Sequence, residues 1–308
     1  MPLSESALIE RYFRACGAQR PDVLAGIGDD AALLAVAPDA ELVATTDTLV
    51  AGVHFPAGSP PASIGHRSLA VNLSDLAAMG ARPAWALLAL TLPEADEAWL
   101  AEFAAGFSAL ARAHEVALVG GDTTRGPLCV TVQLLGQVPR GEALRRGGGR
   151  AGDALFVSGT PGDAAAGLAL EQGRLRAPAD ALVYLRERFL LPTPRIALGE
   201  RLRRHASACI DVSDGLLGDA GKLADASGAG VEISFGAVPV SRRCCARSGR
   251  SARASWRSAA GTTTSCASPC MRRTCRHCSP SCRRNASVTA ASARCAPPPA
   301  RWWYATVL

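Results

Sequence analysis

The sequence predicts an α/β chain of the mixed α+β kind, divided into two domains. Three observations carry that expectation. A length of 308 residues is more than one core usually organises. Apolar runs of strand length alternate with segments of helical periodicity. A stretch rich in Gly and Arg at 141–153 reads as a linker between two halves.

The elements follow in chain order. Leu3 to Cys16 has an amphipathic helix pattern, with Leu8, Ile9, Tyr12 and Phe13 on one face. Glu41 to Thr46 reads as a strand. Pro61 to Met79 reads as a helix with Gly80 just past its end. Leu69, Leu73, Leu76 and Ala77 form its apolar stripe, and the spacing of Asn72 and Asp75 aims both at one side. Trp85 to Leu92 is an apolar strand, Glu97 to His114 a helix, and Val116 to Val119 and Leu128 to Val138 are strands. After the linker come a strand at Ala154 to Ser158 and a turn at 159–162. Helices are expected near Asp163–Gln172, Asp180–Phe189, Thr193–His205 and Leu216–Ser227. Strands are expected to end at Asp211 and to span Val231 to Phe235.

Charge separates the body from the tail. Of the 33 basic residues, 13 lie after position 240, where there is no acidic residue. The first 240 residues therefore carry 20 basic against 27 acidic groups, a net charge of −7. This acidic body gives no case for nucleic-acid binding. There is no run of apolar residues long enough for a transmembrane helix, so no membrane role is expected. The N-terminal residues lack the basic and apolar regions of a secretory signal, which makes the cytoplasm the expected compartment.

Six aspartates stand in short Gly/Ser/Thr motifs: Asp30, Asp47, Asp75, Asp122, Asp211 and Asp214. One such aspartate is usually a turn residue or a helix cap. Here four of the six follow apolar segments, and strand ends are where α/β proteins place ligand sites. Carboxylates and hydroxyls are hard ligands suited to Mg²⁺ beside a phosphate substrate. Brought together without cations, the six would repel each other and shift upward in pKa. No Walker A motif occurs, and the one lysine, Lys222, falls on what reads as a solvated helix face. A polyphosphate would then be neutralised by metals and arginines, with Arg146 a candidate clamp and Gly120-Gly121 offering backbone amides. His54 is a candidate substrate contact.

Five of these segments, in order, resemble bacterial thiamine-monophosphate kinases: 26–32, 45–55, 71–81, 120–126 and 211–216. The resemblance covers residues 1 to about 240. It implies a two-domain fold shared with aminoimidazole ribonucleotide synthetase, with the second domain incomplete here. It also implies ATP-dependent phosphorylation of thiamine monophosphate, several Mg²⁺ ions, and a homodimer formed through the N-terminal domain. By matching positions, Asp30, Thr45, Thr46, Asp47, Asp75, Asp122, Asp211 and Asp214 would hold metal. Gly121, Asp122, Arg146 and Ser213 would meet ATP, and His54 the substrate. The implied organisation is 1–139 as the metal, ATP and dimer domain, 140–240 as the start of a second domain, and 241–308 as a tail. Alternatives are another ATP-using synthetase of the superfamily, or a nucleotide-binding chain without kinase activity.

The tail departs from the family. The later motif Gly-Gly-Asp-Asp-Tyr-Glu-Leu, whose glutamate contacts substrate, and a C-terminal aromatic contact are missing in recognisable form. A permitted set of codons for 259–269, read from its third base, spells Gly-Gly-Asp-Asp-Tyr-Glu-Leu-Cys-Phe-Thr. The Arg/Cys/Ser-rich composition after 240 also suits out-of-frame reading of a GC-rich gene. Together these imply a frameshift near Ser241, natural or a sequencing error, and a disordered tail. Cys275 and Cys278 have a C-x-x-C spacing, with Cys266, Cys270 and Cys282 nearby, but the set completes no recognised zinc pattern, and the tail's arginines alone do not define an arm for a polyanion.

Overall fold

The computed structural model describes residues 4–234 and 236–241, and the backbone of 302–307. The first half is a four-stranded sheet backed by two helices. Its strands are β3 (Ala40–Val50), β6 (Cys129–Pro139), β4 (Arg82–Leu92) and β5 (Ala117–Arg125), adjacent in that order. The pairs β3/β6 and β6/β4 are antiparallel, and β4/β5 is parallel. A short antiparallel pair, β1 (Val23–Ala25) and β2 (Leu33–Leu34), precedes it.

Alternation along the strands decides which face is covered. Leu49, Val130, Val132, Leu134, Leu88 and Leu90 point to one side. There they meet Leu69, Leu73 and Leu76 of α2 (Pro61–Ala78) and Phe103 and Phe107 of α3 (Glu97–Ala113). Proline at the first turn of α2 fits a position whose N–H is unused, and Gly80 adopts φ +67° just past its end. Asp96 caps α3 by accepting from the amides of Ala98 and Trp99 at 2.9 and 3.2 Å. The two helices touch backbone to backbone. A Cβ on Gly65 would lie 2.2 Å from the Phe103 carbonyl oxygen, and one on Gly106 1.9 Å from that of Ala62.

The second half holds a parallel sheet ordered β7 (Ala154–Ser158), β9 (Trp302–Val307), β8 (Ala206–Val212). Helix α7 (Leu216–Ala226) buries Leu216, Ala220 and Leu223 against Leu155, Ile210 and Val212. Helices α4 (Asp163–Glu171) and α5 (Ala179–Leu190) pack on each other, and α6 (Ile196–Leu202) packs on α2.

Several expectations shift. The first helix is split into α1 (Glu5–Leu8) and a π turn at Ile9–Phe13. Residues Val231–Ser234 form no strand, because no ladder partner reaches them among the described residues; Phe235 lies outside those residues. Asn72 is fully buried and donates to the Ser68 carbonyl at 3.0 Å, whereas Asp75 is partly exposed. The expected linker is tied down. Cys209 N–H donates to the Arg145 carbonyl at 2.9 Å, and the Ser227 hydroxyl to that of Arg146 at 3.2 Å. The tail is expected to be disordered, yet residues 302–307 form the middle strand of the second sheet; 242–301 and 308 lie outside the described residues.

Candidate functional site

Asp47 and Asp122 sit inside longer strands than the sequence suggests, and so the sheet distributes the motif residues between its two faces. Thr45 and Asp47 alternate with Thr46 on β3. They pair with Leu134 and Val132, which face α2, whereas Thr46 pairs with Gln133 on the other side. The Thr45 hydroxyl donates to Asp75 Oδ2 at 2.6 Å, bridging β3 and α2. The Thr46 hydroxyl instead donates to the Val132 carbonyl at 3.3 Å.

On the α2 side, carboxylates from both halves of the molecule meet. Ser74, fully buried on α2, donates to Asp211 Oδ2 at 3.4 Å from the end of β8. Burial raises the Asp211 carboxyl to about 7, helped by the negative charges of Asp75 and Asp219 and opposed by Arg146. Burial, then Asp75, pushes Asp47 up to about 6. Asp75 itself is raised by burial, against the Thr45 hydrogen bond and the Arg146 charge. Asp75 is thus the negative charge that both Asp47 and Asp211 feel, and Arg146 the positive charge that both Asp75 and Asp211 feel. The tied linker backbone is what holds Arg146 beside them.

Asp30 and Asp122 belong to the opposite face. They line a cavity of about 790 Å³ together with Gly28, Gly121, Ala89, Thr131 and Gln133. Gly121 is required there: at φ +152°, its missing Cβ would fall 1.8 Å from the Leu88 carbonyl oxygen across the parallel pair. Gly28 sits under Arg14, which also lines the cavity and bonds Glu10 at 2.5 Å. Sequence reasoning missed Arg14, because nothing in its spacing links a residue of the first helix to a glycine loop.

The remaining candidates lie at turns. His54 is exposed, and its Nδ1 accepts from the Val50 amide at 3.0 Å, leaving Nε2 to carry the proton outward. Ser213 and Asp214 are exposed on the turn between β8 and α7. Lys222 is not simply solvated: its ammonium contacts Asp214 at 2.7 Å and Asp219 at 2.8 Å. Among the described residues no three acidic, His or Cys side chains are grouped tightly enough to enclose one metal ion. The donor set nonetheless fits a hard cation. Asp47, Asp75 and Asp211 offer carboxylate oxygens; hydroxyls donate to Asp75 and Asp211 and the Arg146 charge opposes the rise of both, while Asp47 has no such partner, and the upward shifts of all three are what an added cation would relieve.

Two α/β halves joined by an acidic seam, with a glycine-walled cavity on the outer sheet face, define an AIR-synthase-type protein. Residues 28–138 match the AIR synthase related protein, N-terminal domain, and residues 150–260 the C-terminal domain of the same description. The chain is 51% identical to the thiamine-monophosphate kinase of Salmonella typhimurium over 242 residues, which is 78% of this chain and 74% of that protein. It is 50% identical to that of Escherichia coli over the same shares. A crystal structure of thiamine-monophosphate kinase from Stenotrophomonas maltophilia superposes with a TM-score of 0.73 at 51% identity, over 79% of this chain and 78% of that one. The complex described as AaThiL with AMPPCP and TMP superposes with a TM-score of 0.64 at 33% identity, over 69% and 70%. The chain belongs to the thiamine-monophosphate kinase family.

Proposed function

We propose that this chain binds ATP and thiamine monophosphate and is built to transfer the γ-phosphate directly to the monophosphate, giving thiamine diphosphate. The observation that carries the reading is the acidic seam where α2 meets β8: Ser74 donates to Asp211 Oδ2, and the next residue, Asp75, accepts from Thr45, which shares its face of β3 with Asp47. A relative with bound AMPPCP and TMP supports the choice of substrates.

Asp30, Asp47, Asp75, Asp122, Asp211 and Asp214, with Thr45 and Thr46, are the proposed holders of Mg²⁺. When bound, Mg²⁺ would offset the negative charge of the phosphates. The chain's own groups supply position. Thr45 fixes the Asp75 carboxylate, Ser74 fixes Asp211, and the glycine cavity admits phosphates close to the backbone at Gly121. Arg146 gives positive charge from the seam, Ser213 meets the nucleotide, and His54 presents its Nε2–H to the substrate. An in-line attack by the monophosphate oxygen on the γ-phosphorus needs no covalent enzyme intermediate. The Leu42 end of the outer sheet face, which does not line the cavity, is proposed to pair two chains as a dimer, Leu42 there being 49% exposed.

The absence of the Gly-Gly-Asp-Asp-Tyr-Glu-Leu segment favours a second reading for the chain as written, nucleotide binding with little transfer. Asp47→Asn and Asp122→Asn are expected to abolish Mg²⁺-dependent ATP binding while leaving the fold. Calorimetric titration with Mg²⁺ present decides it: unchanged affinity in both variants removes the proposed metal site.

A further inference from the structure

Asp219 is a carboxylate that none of the motif positions includes, yet it is 1% exposed at the centre of the 211–215 segment. Its Oδ2 accepts three backbone amides in a row, those of Ser213, Asp214 and Gly215, at 2.9, 3.0 and 3.1 Å. Its Oδ1 accepts from Lys222 Nζ at 2.8 Å, and the same ammonium reaches Asp214 Oδ2 at 2.7 Å. A helix start leaves several N–H groups without partners, and a Ser or Asp just before the first turn normally satisfies them with its own side chain. Here the residue at that place is Gly215, at φ +114°, which has no side chain to offer; Asp219, from within the helix, binds instead the amides of the turn that leads into it. With that turn held through its backbone, the Ser213 and Asp214 side chains stay exposed.

We propose that Asp219 is a positioning residue for the nucleotide and cation site: its carboxylate ties down the turn before α7 through three backbone amides, and with Lys222 it fixes the way that turn presents Ser213 and Asp214. The inference rests on the nucleotide-binding reading above and deepens it. What matters on this account is where the acceptor oxygen stands, more than the charge it carries.

Two variants separate position from charge. Asp219→Asn keeps an oxygen where Oδ2 stands, drops the charge, and puts an amide nitrogen in place of the Oδ1 acceptor for Lys222. Asp219→Glu keeps the charge and displaces the carboxylate by one methylene. Affinity for AMPPCP with Mg²⁺ is measured by calorimetry on the full chain, well below each variant's melting temperature. The expected result is Asp219→Asn within about threefold of the parent and Asp219→Glu weaker by about tenfold or more, about 1.4 kcal/mol or greater. Faster amide hydrogen exchange at 213–215 should accompany the loss in Asp219→Glu. Lower melting temperatures with unchanged affinity in both variants would assign Asp219 to stability alone and overturn the proposal. So would Asp219→Glu binding as well as the parent. A parent chain that fails to bind Mg²⁺ and AMPPCP overturns the nucleotide reading itself, and this inference with it; binding by the parent with equal binding by both variants overturns this inference only.

Discussion

Asp211 ties protonation to stability. Burial and the charges of Asp75 and Asp219 hold its carboxyl near 7 against the ordinary 3.8. Between those values the folded chain keeps a proton that the unfolded chain has released, so folding stability falls as pH rises through that window. The contribution is fully present only below the lower value. The metal-free chain is therefore expected to melt at lower temperature at about pH 8 than at about pH 5, a trend that Asp211→Asn should flatten. At the higher pH the variant should melt above the parent, by about 2–4 °C for each kcal/mol relieved. Thermal scans at both pH values check this; an unchanged slope in Asp211→Asn would clear Asp211 of any part in it. At this scale the sequence was informative about which residues matter and silent about what holds them. Asp47, Asp75 and Asp211 stand in recognisable motifs. Asp219 and Lys222 do not, because their role depends on a turn folding back onto its own helix, and no spacing rule marks that.

The elements are legible where periodicity is long. Helix α2 with Gly80 beyond its end, helix α3, and strands β4 and β6 follow directly from apolar spacing and end signals. Strand β5 is expected from apolar spacing to end at Val119. It runs on to Arg125, since a glycine is what lets β5 approach β4 at Leu88. That extension carries Asp122 onto the outer face of the sheet. The same face bears Leu42, Ala44, Thr46 and Thr48 on β3, a strip without charged side chains. If two chains meet there, Leu42→Arg places a cation against the partner and should raise the dimer dissociation constant by about tenfold or more. Leu42 is half exposed in the single chain, so its fold should survive. Sedimentation equilibrium distinguishes the outcomes: an unchanged association state in Leu42→Arg removes this face from the dimer.

For the whole molecule, the two halves are joined through α2. Arg203 of the second half donates to the Gly80 carbonyl at 3.0 Å, and Arg67 donates to the Phe189 carbonyl at 2.6 Å with its guanidinium over the Phe189 ring. The acidic seam thus lies between bodies held at both ends of one helix. Residues proposed for metal and nucleotide all precede position 240, whereas the expected glutamate and aromatic substrate contacts do not occur in recognisable form. The chain as written should then bind Mg²⁺ and nucleotide but form thiamine diphosphate poorly. A version with the reading frame restored after about residue 241 should turn over about 100-fold faster or more, the size of effect that misplacement by about 1 Å produces. Equal thiamine diphosphate formation by the two would refute the frameshift and assign the tail a role in transfer.

The place of β9 between β7 and β8 has a consequence for synthesis on the ribosome. The four strands of the first sheet all lie within residues 40–139, so that half can close while most of the chain is still unmade. The second sheet cannot, because its middle position is filled by residues 302–307 and its two outer strands never pair directly. Throughout the translation of the intervening codons, β7 and β8 each present an open parallel edge. Such edges recruit strands from other molecules, and pairing across so long a separation is slow. Holding nascent chains apart, by slow synthesis or by a chaperone that masks those edges, should matter more for the yield of the second half than for the first.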